Sequence, residues 1–519
     1  MADPKSFIRS AWGITFWTAI SRVTGVLFQT TVARFLGASA WSDAFFQAYR
    51  IPNTFRAIVG EGGLPGALVP IAKRVERERP GQEGIYAGRV FTLLSLVLFV
   101  LVAAGIAFAP LLVRLFAPGF QQTPGKFELT VRLTRWMFPY ILLVSGASLL
   151  ESYLNAKGRF QLSAATPIAL NLSIILAAYL LIPRGVFAPM AFAGGVLFGG
   201  FLQFAMQVPA VRRLGFRFGA SPFGDPEVAT TAARIAPRLY ASGLGQLNFL
   251  ISSRTLAALG DGFITYNFLA WRVADLVLGG FVMSVTRAML PSLSEQGFEN
   301  DRTEYKKTVR FGLRISAFVT LPSMVGLALV AEPIIDILFR KNRFGTQDVH
   351  QTALSLIFFA PGIFAAAGVK ILTQAFYALH DTKTPVLVAT FDLIAFWILC
   401  VTLAGPFGHP GVAMATSGGF WINFILLFVL LHRRLAGIGG GELLASFGRL
   451  LAASAAMGTA VYLVSARLLP YRFAWGFWLR AGWLLGIVIL ATGLFLAVAR
   501  LMGAPEVGET LGIFRRRKR

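Results

Sequence analysis

Ionisable side chains interrupt several long apolar stretches of this sequence, where each costs about 2.5 to 3.5 kcal/mol in a membrane-inserted helix. Most are arginines, which stay charged and present planar, bidentate donors that suit phosphate groups. A few acids compensate part of this charge. The pattern therefore indicates a wet cavity for an anionic substrate, with a phosphate or diphosphate as the expected group. The residues concerned are Arg22; Asp43, Arg50, Arg56 and Glu61; Arg254; and Arg272, Asp275 and Arg287.

A structural explanation competes with the cavity for each arginine, because a guanidinium can bond backbone carbonyls or extend to the membrane interface. That explanation is favoured for the arginines near helix ends, namely Arg34, Arg50 and Arg287. The substrate cavity is favoured for Arg22, Arg56 and Arg272.

Spacing refines the interpretation of two stretches. Arg272 and Asp275 are three residues apart, so on a helix they can form an ion pair. Arg50, Arg56 and Glu61 spread broadly around a helix rather than forming one stripe, which predicts a bent helix. The predicted hinge consists of Gly60, Gly62, Gly63 and Pro65.

The elements that position these residues are predicted to be membrane-spanning helices. Of the 519 residues, 56% are hydrophobic and only 14% are charged, against about 25% charged in soluble domains. A helix needs about 20 mostly apolar residues to cross the hydrocarbon core. We therefore predict an all-α polytopic membrane protein of about fourteen helices, numbered here 1 to 14, at approximately 11–36, 41–71, 87–117, 127–156, 161–182, 188–211, 230–259, 263–293, 307–339, 349–379, 384–405, 410–432, 444–468 and 476–502.

Basic residues orient these helices. The net charge of +24 fits loops that gather Lys and Arg on the cytoplasmic side. With helix 1 starting in the cytoplasm, the cytoplasmic segments hold most of the loop Lys and Arg, so both termini are expected there. Nucleic-acid binding is disfavoured, because no basic stretch alternates with aromatic residues outside an apolar helix.

An internal repeat divides the chain. Three proline landmarks recur at nearly one offset and predict two six-helix lobes in parallel orientation, although coincidence among proline-containing helices is the alternative. Transporters built this way bind substrate between lobes and alternate access by rocking. The landmark pairs are Pro70 with Pro291, Pro139 with Pro361, and Pro167 with Pro385. The predicted domains are 1–218, 226–435, a C-terminal helix pair at 441–505 and a basic tail at 506–519.

Several of these segments resemble the MurJ (MviN) family over essentially the whole chain. The most specific block covers helices 1 and 2. The matching motifs are Ser21-Arg22-Val23-Thr24-Gly25, Ala33-Arg34-Phe35-Leu36-Gly37-Ala38, Ser42-Asp43-Ala44-Phe45-Phe46, Ile51-Pro52-Asn53-Thr54-Phe55-Arg56, Gly60-Glu61-Gly62, Leu68-Val69-Pro70, Phe138-Pro139-Tyr140-Ile141, Leu290-Pro291-Ser292-Leu293-Ser294 and Lys383-Thr384-Pro385.

The resemblance implies a lipid II flippase of the multidrug/oligosaccharidyl-lipid/polysaccharide (MOP) exporter superfamily. Such proteins have two lobes around a V-shaped cavity, and helices 13 and 14 form a groove for the lipid tail. By position, Arg22, Asp43, Arg56 and Glu61 match the family's functional charged residues.

This sequence departs from the family pattern at two positions. Phe28 stands where helix 1 of the family has another arginine, and Leu276 replaces the arginine of helix 8. Arg272, one turn before Leu276, and Arg254 on helix 7 are the candidates to replace the missing charges. The family's sodium site is not expected, since helix 11 has Phe396 and Cys400 at the positions of polar ligands. Asp392 is a weak metal candidate, and no cofactor is expected.

Four other functions compete with the lipid II flippase. A flippase for another polyprenyl-linked glycan fits the same charges, whereas an exporter of cationic drugs would need acidic walls. A membrane enzyme would need paired carboxylates in an outer loop, and the outer acids Asp261 and Asp348 are isolated. A non-transporting scaffold would not need the cavity charges. The expected partners are lipid II, membrane lipids and cell-wall synthesis proteins, for a monomer in the bacterial inner membrane.

Overall fold

The computed structural model describes residues 4–58, 64–297 and 302–509. These residues are helical with short connections, and the extended pairing among them is confined to one bridge between Lys341 and Phe344. The prediction of an all-α membrane protein is confirmed.

Each of the fourteen predicted segments corresponds to one helix or to consecutive helical pieces. Among the described residues, helix 4 breaks at Pro139 and helix 10 at Pro361, where proline removes a backbone donor. The bounds are Pro4–Leu36 (helix 1); Ala40–Arg56 and Leu64–Glu78 (helix 2); Glu83–Ala107 and Ala109–Phe116 (helix 3); Lys126–Met137 and Tyr140–Ala156 (helix 4); Phe160–Leu181 (helix 5); Ala188–Ala205 and Val208–Arg213 (helix 6); Pro226–Leu259 (helix 7); Phe263–Val277, Leu278–Val282 and Met283–Gln296 (helix 8); Thr303–Leu329 and Ala331–Phe339 (helix 9); Thr346–Phe359 and Gly362–Ala378 (helix 10); Lys383–Phe407 (helix 11); His409–Arg434 (helix 12); Gly440–Leu463 and Val464–Leu468 (helix 13); and Phe477–Leu501 (helix 14), with 3₁₀ turns at Pro118–Gln122 and Ile182–Arg184.

Length and composition separate these helices into two groups. Within the described residues, 10 helices are long and apolar enough to cross a membrane, or 11 if the bent pair of helix 10 is one span. The segments outside this count are helices 1, 2 and 7. They are also the segments in which the sequence places Arg22, the charges of helix 2, and Arg254. Some of the predicted functional charges thus lie in segments whose described parts do not meet this test.

The described chain forms two compact units. The first contains residues 1–265 and 341–344, and the second contains 266–340 and 345–519. Helix 7 belongs to the first unit, whereas the repeat assigns it to the second lobe. The division into transport lobes at 1–218 and 226–435 stays a prediction, because packing units need not coincide with the bodies that move.

Helix 7 is fastened to the first unit by polar contacts near its start. Asp225, just before the helix, accepts a hydrogen bond from Arg89 at 2.5 Å, and Glu227 pairs with Arg74. Thr231 and Tyr86 share a buried hydrogen bond of 2.6 Å between their hydroxyls. These contacts hold the N-terminal turns of helix 7 against helices 2 and 3.

Polar clusters fasten the C-terminal helix pair to helix 9 in the second unit. At one end, the fully buried Glu506 accepts hydrogen bonds from Arg314 Nε and Ser446 Oγ, both at 2.6 Å. Burial opposes ionisation of Glu506, but the bonds from Ser446 and Arg314 lower its pKa below the usual value. At the other end, the buried Asp336 accepts hydrogen bonds from Tyr471 and Arg480. Helices 13 and 14 are thus tied to helix 9 at both ends.

Candidate functional site: charged side chains within the helices

Asp43 lies in a buried network near the start of helix 2. Its side chain is fully buried and pairs with Lys126 of helix 4 at 3.1 Å between Oδ2 and Nζ. It also accepts hydrogen bonds from the backbone N–H groups of Gly262, at 2.7 Å, and Thr265, at 3.0 Å. The Thr265 hydroxyl donates to the same carboxylate at 2.7 Å.

This geometry makes Asp43 a cap for the start of helix 8. The first N–H groups of a helix have no partner within it, and a carboxylate both satisfies them and interacts favourably with the helix dipole. Lys126 completes the network by donating to Asp261 at 2.7 Å. Asp43 was predicted to line a wet cavity, but in this structure its carboxylate is enclosed by protein donors. A direct substrate contact by Asp43 stays a prediction that this conformation does not display.

The helix 8 charges form a more open cluster in the second unit. Arg272 and Asp275 lie 4.0 Å apart, and their side chains are 43% and 39% exposed. This is the pair predicted from their spacing. Lys370 of helix 10 is half-buried and lies within electrostatic range of Asp275. The cluster therefore presents two cations and one acid at partly accessible positions in the middle of helices.

Helix 8 changes its winding directly after this cluster. Residues Leu278–Val282 form a π-helical turn that contains Gly279 and Gly280. Such turns occur mostly as single bulges inside α-helices and are frequent at functional sites. The turn makes helix 8 less regular six residues after Arg272.

The arginines of helices 1 and 2 are half-buried. Arg22 lies on helix 1 close to Thr24, whose hydroxyl accepts a hydrogen bond of 3.1 Å from Asn171 of helix 5. Arg56 donates from Nε to Asn53 Oδ1 at 2.5 Å. Helix 2 is described only on either side of residues 59–63, so its predicted bend stays a prediction. Glu61 and the hinge glycines Gly60, Gly62 and Gly63 lie outside the described residues, as does the side chain of Pro65.

Arg254 has a structural role in this conformation. Its side chain is exposed and donates to the backbone carbonyl of Leu115 at 3.2 Å. Leu115 lies in the last turn of a helix, where carbonyls lack helical partners and a cation is favourable. Arg50 also contacts a neighbouring helix, because its guanidinium lies 4.0 Å from the ring centroid of Phe249. The side chain of Arg287 is outside the described residues.

An apolar cavity of about 390 Å³ lies between helices 9, 13 and 14 of the second unit. Its walls include Phe318, Val461, Ile487, Ala491 and Phe495. The polar clusters of Glu506 and Asp336 tie the same three helices together. The cavity can therefore hold a hydrocarbon chain between helices that are fixed to one another.

Comparison with known proteins identifies the family. The sequence matches the family model described as "Lipid II flippase MurJ" over residues 32–481. This chain belongs to the MurJ family.

Two MurJ relatives and two solved structures show how far the similarity extends. The "Probable lipid II flippase MurJ" of Vibrio cholerae is 29% identical across 96% of this chain and 97% of its own length. The "Lipid II flippase MurJ" of Burkholderia cenocepacia is 32% identical across 83% of this chain and 84% of its own. A solved "Lipid II flippase MurJ, inward closed conformation" matches with a TM-score of 0.79 and 23% identity, covering 94% of this chain and 98% of that one. An inward-facing multidrug resistance MATE transporter of the MOP superfamily matches with a TM-score of 0.68 and 12% identity, covering 80% and 95%. At these identities the structural matches show a shared fold.

The two departures from the MurJ pattern have different surroundings. Phe28 is buried, and its ring meets that of Tyr49 edge-on with centroids 6.4 Å apart. The position is part of the packing between helices 1 and 2. Leu276 is half-buried beside the Arg272 and Asp275 pair. A cation near Leu276 is therefore still available in this MurJ chain, whereas apolar packing occupies the Phe28 position.

Asp392 offers few ligands for a cation. Its side chain is buried and accepts one hydrogen bond of 3.2 Å from Asn423 of helix 12. Phe396 and Cys400 are buried on the same helix. Across residues 4–58, 64–297 and 302–509, no group of three His, Cys, Asp or Glu side chains could hold a metal ion. Asp392 and Asn423 together supply one carboxylate and one amide as potential ligands.

Lys370 is a functional candidate that was not predicted from the sequence. It stands in the apolar sequence Gly368-Val369-Lys370-Ile371 of helix 10. The same signal that singled out the arginines, an ionisable residue in the middle of an apolar segment, identifies it. The pairing of Lys126 with Asp43 was not predicted from the sequence and is shown by the structure.

Proposed function

We propose that this MurJ-family chain is a lipid II flippase that moves the head group from the cytoplasmic to the periplasmic leaflet of the bacterial inner membrane. Membership of the family over residues 32–481 carries the proposal. Partly exposed cations within the helices support it, because a lipid-linked diphosphate must exchange its hydration for protein donors while it crosses.

The diphosphate would be bound by Arg22, Arg56 and Arg272, with Lys370 as a further cation. Arginine suits this task, since its donors match two phosphate oxygens at once, whereas lysine acts as a point charge. Asp275 balances part of the positive charge, so the cluster attracts the anion without holding it permanently. Rocking of the two predicted lobes about helix 2, with Glu61 near the hinge, would expose the head group to the other side.

The membrane potential favours this direction of movement. An anionic head group gains about 2.3 kcal/mol per charge for each 100 mV when it moves toward the positive side. In a bacterial inner membrane that side is the periplasm, whichever way the protein is oriented. The proposed driving force is therefore the potential, without a bound coupling metal at Asp392. We also propose that the protein acts as a monomer beside the cell-wall synthesis proteins that consume its product.

The direct test is complementation of a strain in which the host's lipid II flippase is conditionally depleted. We expect the wild-type chain to restore growth and cell shape when its membrane expression matches that of the host protein. A well-expressed chain that does not restore growth would instead favour another polyprenyl-diphosphate-linked glycan. The apolar Phe28 position is the observation that keeps this second function open.

The cavity between helices 9, 13 and 14 is proposed to receive part of the lipid tail. Ala491→Trp places an indole in this cavity, whereas Ala455→Trp adds the same bulk to an exposed face of helix 13. We expect Ala491→Trp to reduce complementation and Ala455→Trp to leave it near wild type, at equal expression. Equal activity of the two variants would contradict a role for the cavity.

A further inference from the structure

A second pocket lies in the first unit, away from the charges of helices 2 and 8. Its volume is about 710 Å³, and it lies where helix 4 ends, helix 5 begins and helix 6 ends, beside helix 1. Leu154, Leu162 and Leu214 supply apolar walls, together with Trp17. Arg159 and Arg213 stand in the same lining. The pocket thus combines an apolar wall with two cations at the ends of membrane-spanning helices.

The two arginines are available to a ligand. Both are exposed, and within the described parts of the chain neither guanidinium forms a hydrogen bond or an ion pair. The neighbouring acids are already engaged, because Glu76 and Glu83 both accept hydrogen bonds from Lys157 at 2.8 Å. These bonds raise the pKa of Lys157 above its usual value despite its partial burial. The three side chains together keep one negative charge, so the two positive charges of Arg159 and Arg213 outnumber it.

The start of helix 5 adds to the positive potential. Helix 5 begins at Phe160 without a side-chain cap, and its first turn contains no acid. The N–H groups of a first turn have no helical partners and favour an anion. Gln161, in the same turn, lines the pocket and supplies an amide. Tryptophan favours the level of the lipid head groups, which suits Trp17 at this boundary.

We propose that this pocket is a binding site for an anionic phospholipid of the leaflet that it faces. The phosphate group lies between Arg159 and Arg213 at the start of helix 5, and an acyl chain lies along Leu162 and Trp17. The combination of cations and apolar walls selects an anionic lipid over a free anion, which would leave the apolar wall uncovered. This site is separate from the proposed transport pathway and does not require that lipid II be the transported molecule.

The test measures retention of added lipids by the purified full-length protein in detergent, with native mass spectrometry and thermal melting as the two readouts. The probes are dioleoylphosphatidylglycerol, dioleoylphosphatidylcholine and inorganic phosphate. We expect the wild type to retain dioleoylphosphatidylglycerol in preference to dioleoylphosphatidylcholine. We also expect it to melt at a higher temperature when dioleoylphosphatidylglycerol is present. In Arg159→Gln/Arg213→Gln, the apparent affinity should fall by on the order of 10-fold or more, because two charge-assisted contacts are lost.

A matched double variant separates a defined site from diffuse attraction. Arg77→Gln/Arg79→Gln removes the same charge from exposed positions that do not line the pocket, so it should bind the lipid as the wild type does. An equal loss of affinity for dioleoylphosphatidylglycerol in both double variants would overturn the proposed site and show attraction by general surface charge. Equal retention of phosphatidylcholine would overturn the role of the arginines. Stabilisation by inorganic phosphate to the same extent would assign the pocket to a free anion.

Discussion

Asp43→Asn is expected to lower the thermal stability of the purified protein strongly, although it only replaces one carboxylate oxygen with an amide nitrogen. The substitution keeps the shape of the side chain but removes the charge that faces Lys126, whose side chain is only 2% exposed. Breaking a buried ion pair by removing one partner destabilises by about 3–5 kcal/mol. It also replaces one of the two acceptor oxygens with an amide NH₂ group, which then faces the N–H donor of either Gly262 or Thr265. The measurement is the melting temperature in detergent, followed by fluorescence-detected size exclusion.

Asp261→Asn is the matched control, because Asp261 is the other acid that binds Lys126. Its side chain is 43% exposed, so water replaces much of what the substitution removes. We expect a change of less than about 1 kcal/mol. If the two variants melted at the same temperature, the buried network would not stabilise the protein.

A double variant distinguishes the pair from the individual groups. Asp43→Asn/Lys126→Met removes both charges, and replacement of a buried pair by neutral groups is often close to neutral for stability. We expect the double variant to recover part of the loss caused by Asp43→Asn. Independent, additive losses would show that Asp43 and Lys126 act through separate contacts.

The fold could be predicted because the bilayer imposes one rule on every segment. Backbone groups in hydrocarbon must bond within the helix, so twenty apolar residues imply a helix wherever they occur. Helix 4 and helix 10 show the same logic at their breaks, since Pro139 and Pro361 mark where the helical bonding changes. The placement of helix 7 in the first packing unit was not predictable, because it depends on pairs such as Arg89 with Asp225 that lie far apart in the chain.

The site could be predicted only in part, for a related reason. An ionisable residue in an apolar segment must be solvated or paired, but the segment itself does not say which. For Asp43, the partners are Lys126 and the start of helix 8, both remote in sequence, so its burial could not be inferred. For Arg272 and Asp275, the partner is on the same helix, and spacing was sufficient. Pairs within one helix can be predicted from a single sequence, whereas pairs between helices cannot.

Arg272→Gln and Arg56→Gln are expected to abolish complementation of the flippase-depleted strain while the proteins remain in the membrane. Each substitution removes a charged, bidentate donor from a half-buried position, within helix 8 for Arg272 and at the end of Ala40–Arg56 for Arg56. A hydrogen bond to a charged group contributes about 1.5–3 kcal/mol, which corresponds to roughly a 10- to 100-fold loss of substrate binding. Lys370→Gln should have a smaller effect of the same sign, because a lysine interacts as a point charge without fork geometry. Growth after depletion and a lipid II accumulation assay measure these effects.

Arg254→Gln supplies the control that separates transport from the loss of charge alone. It removes one positive charge from an arginine of helix 7 whose observed contact is the carbonyl of Leu115, at 3.2 Å. We therefore expect it to complement nearly as well as the wild type, with at most a small decrease in melting temperature. Rescue by all four variants would make the charges structural and remove the arginine-based mechanism. If Arg254→Gln failed while Arg272→Gln succeeded, Arg254 rather than Arg272 would replace the arginine that Leu276 lacks, and the substrate would approach helix 7 instead of helix 8.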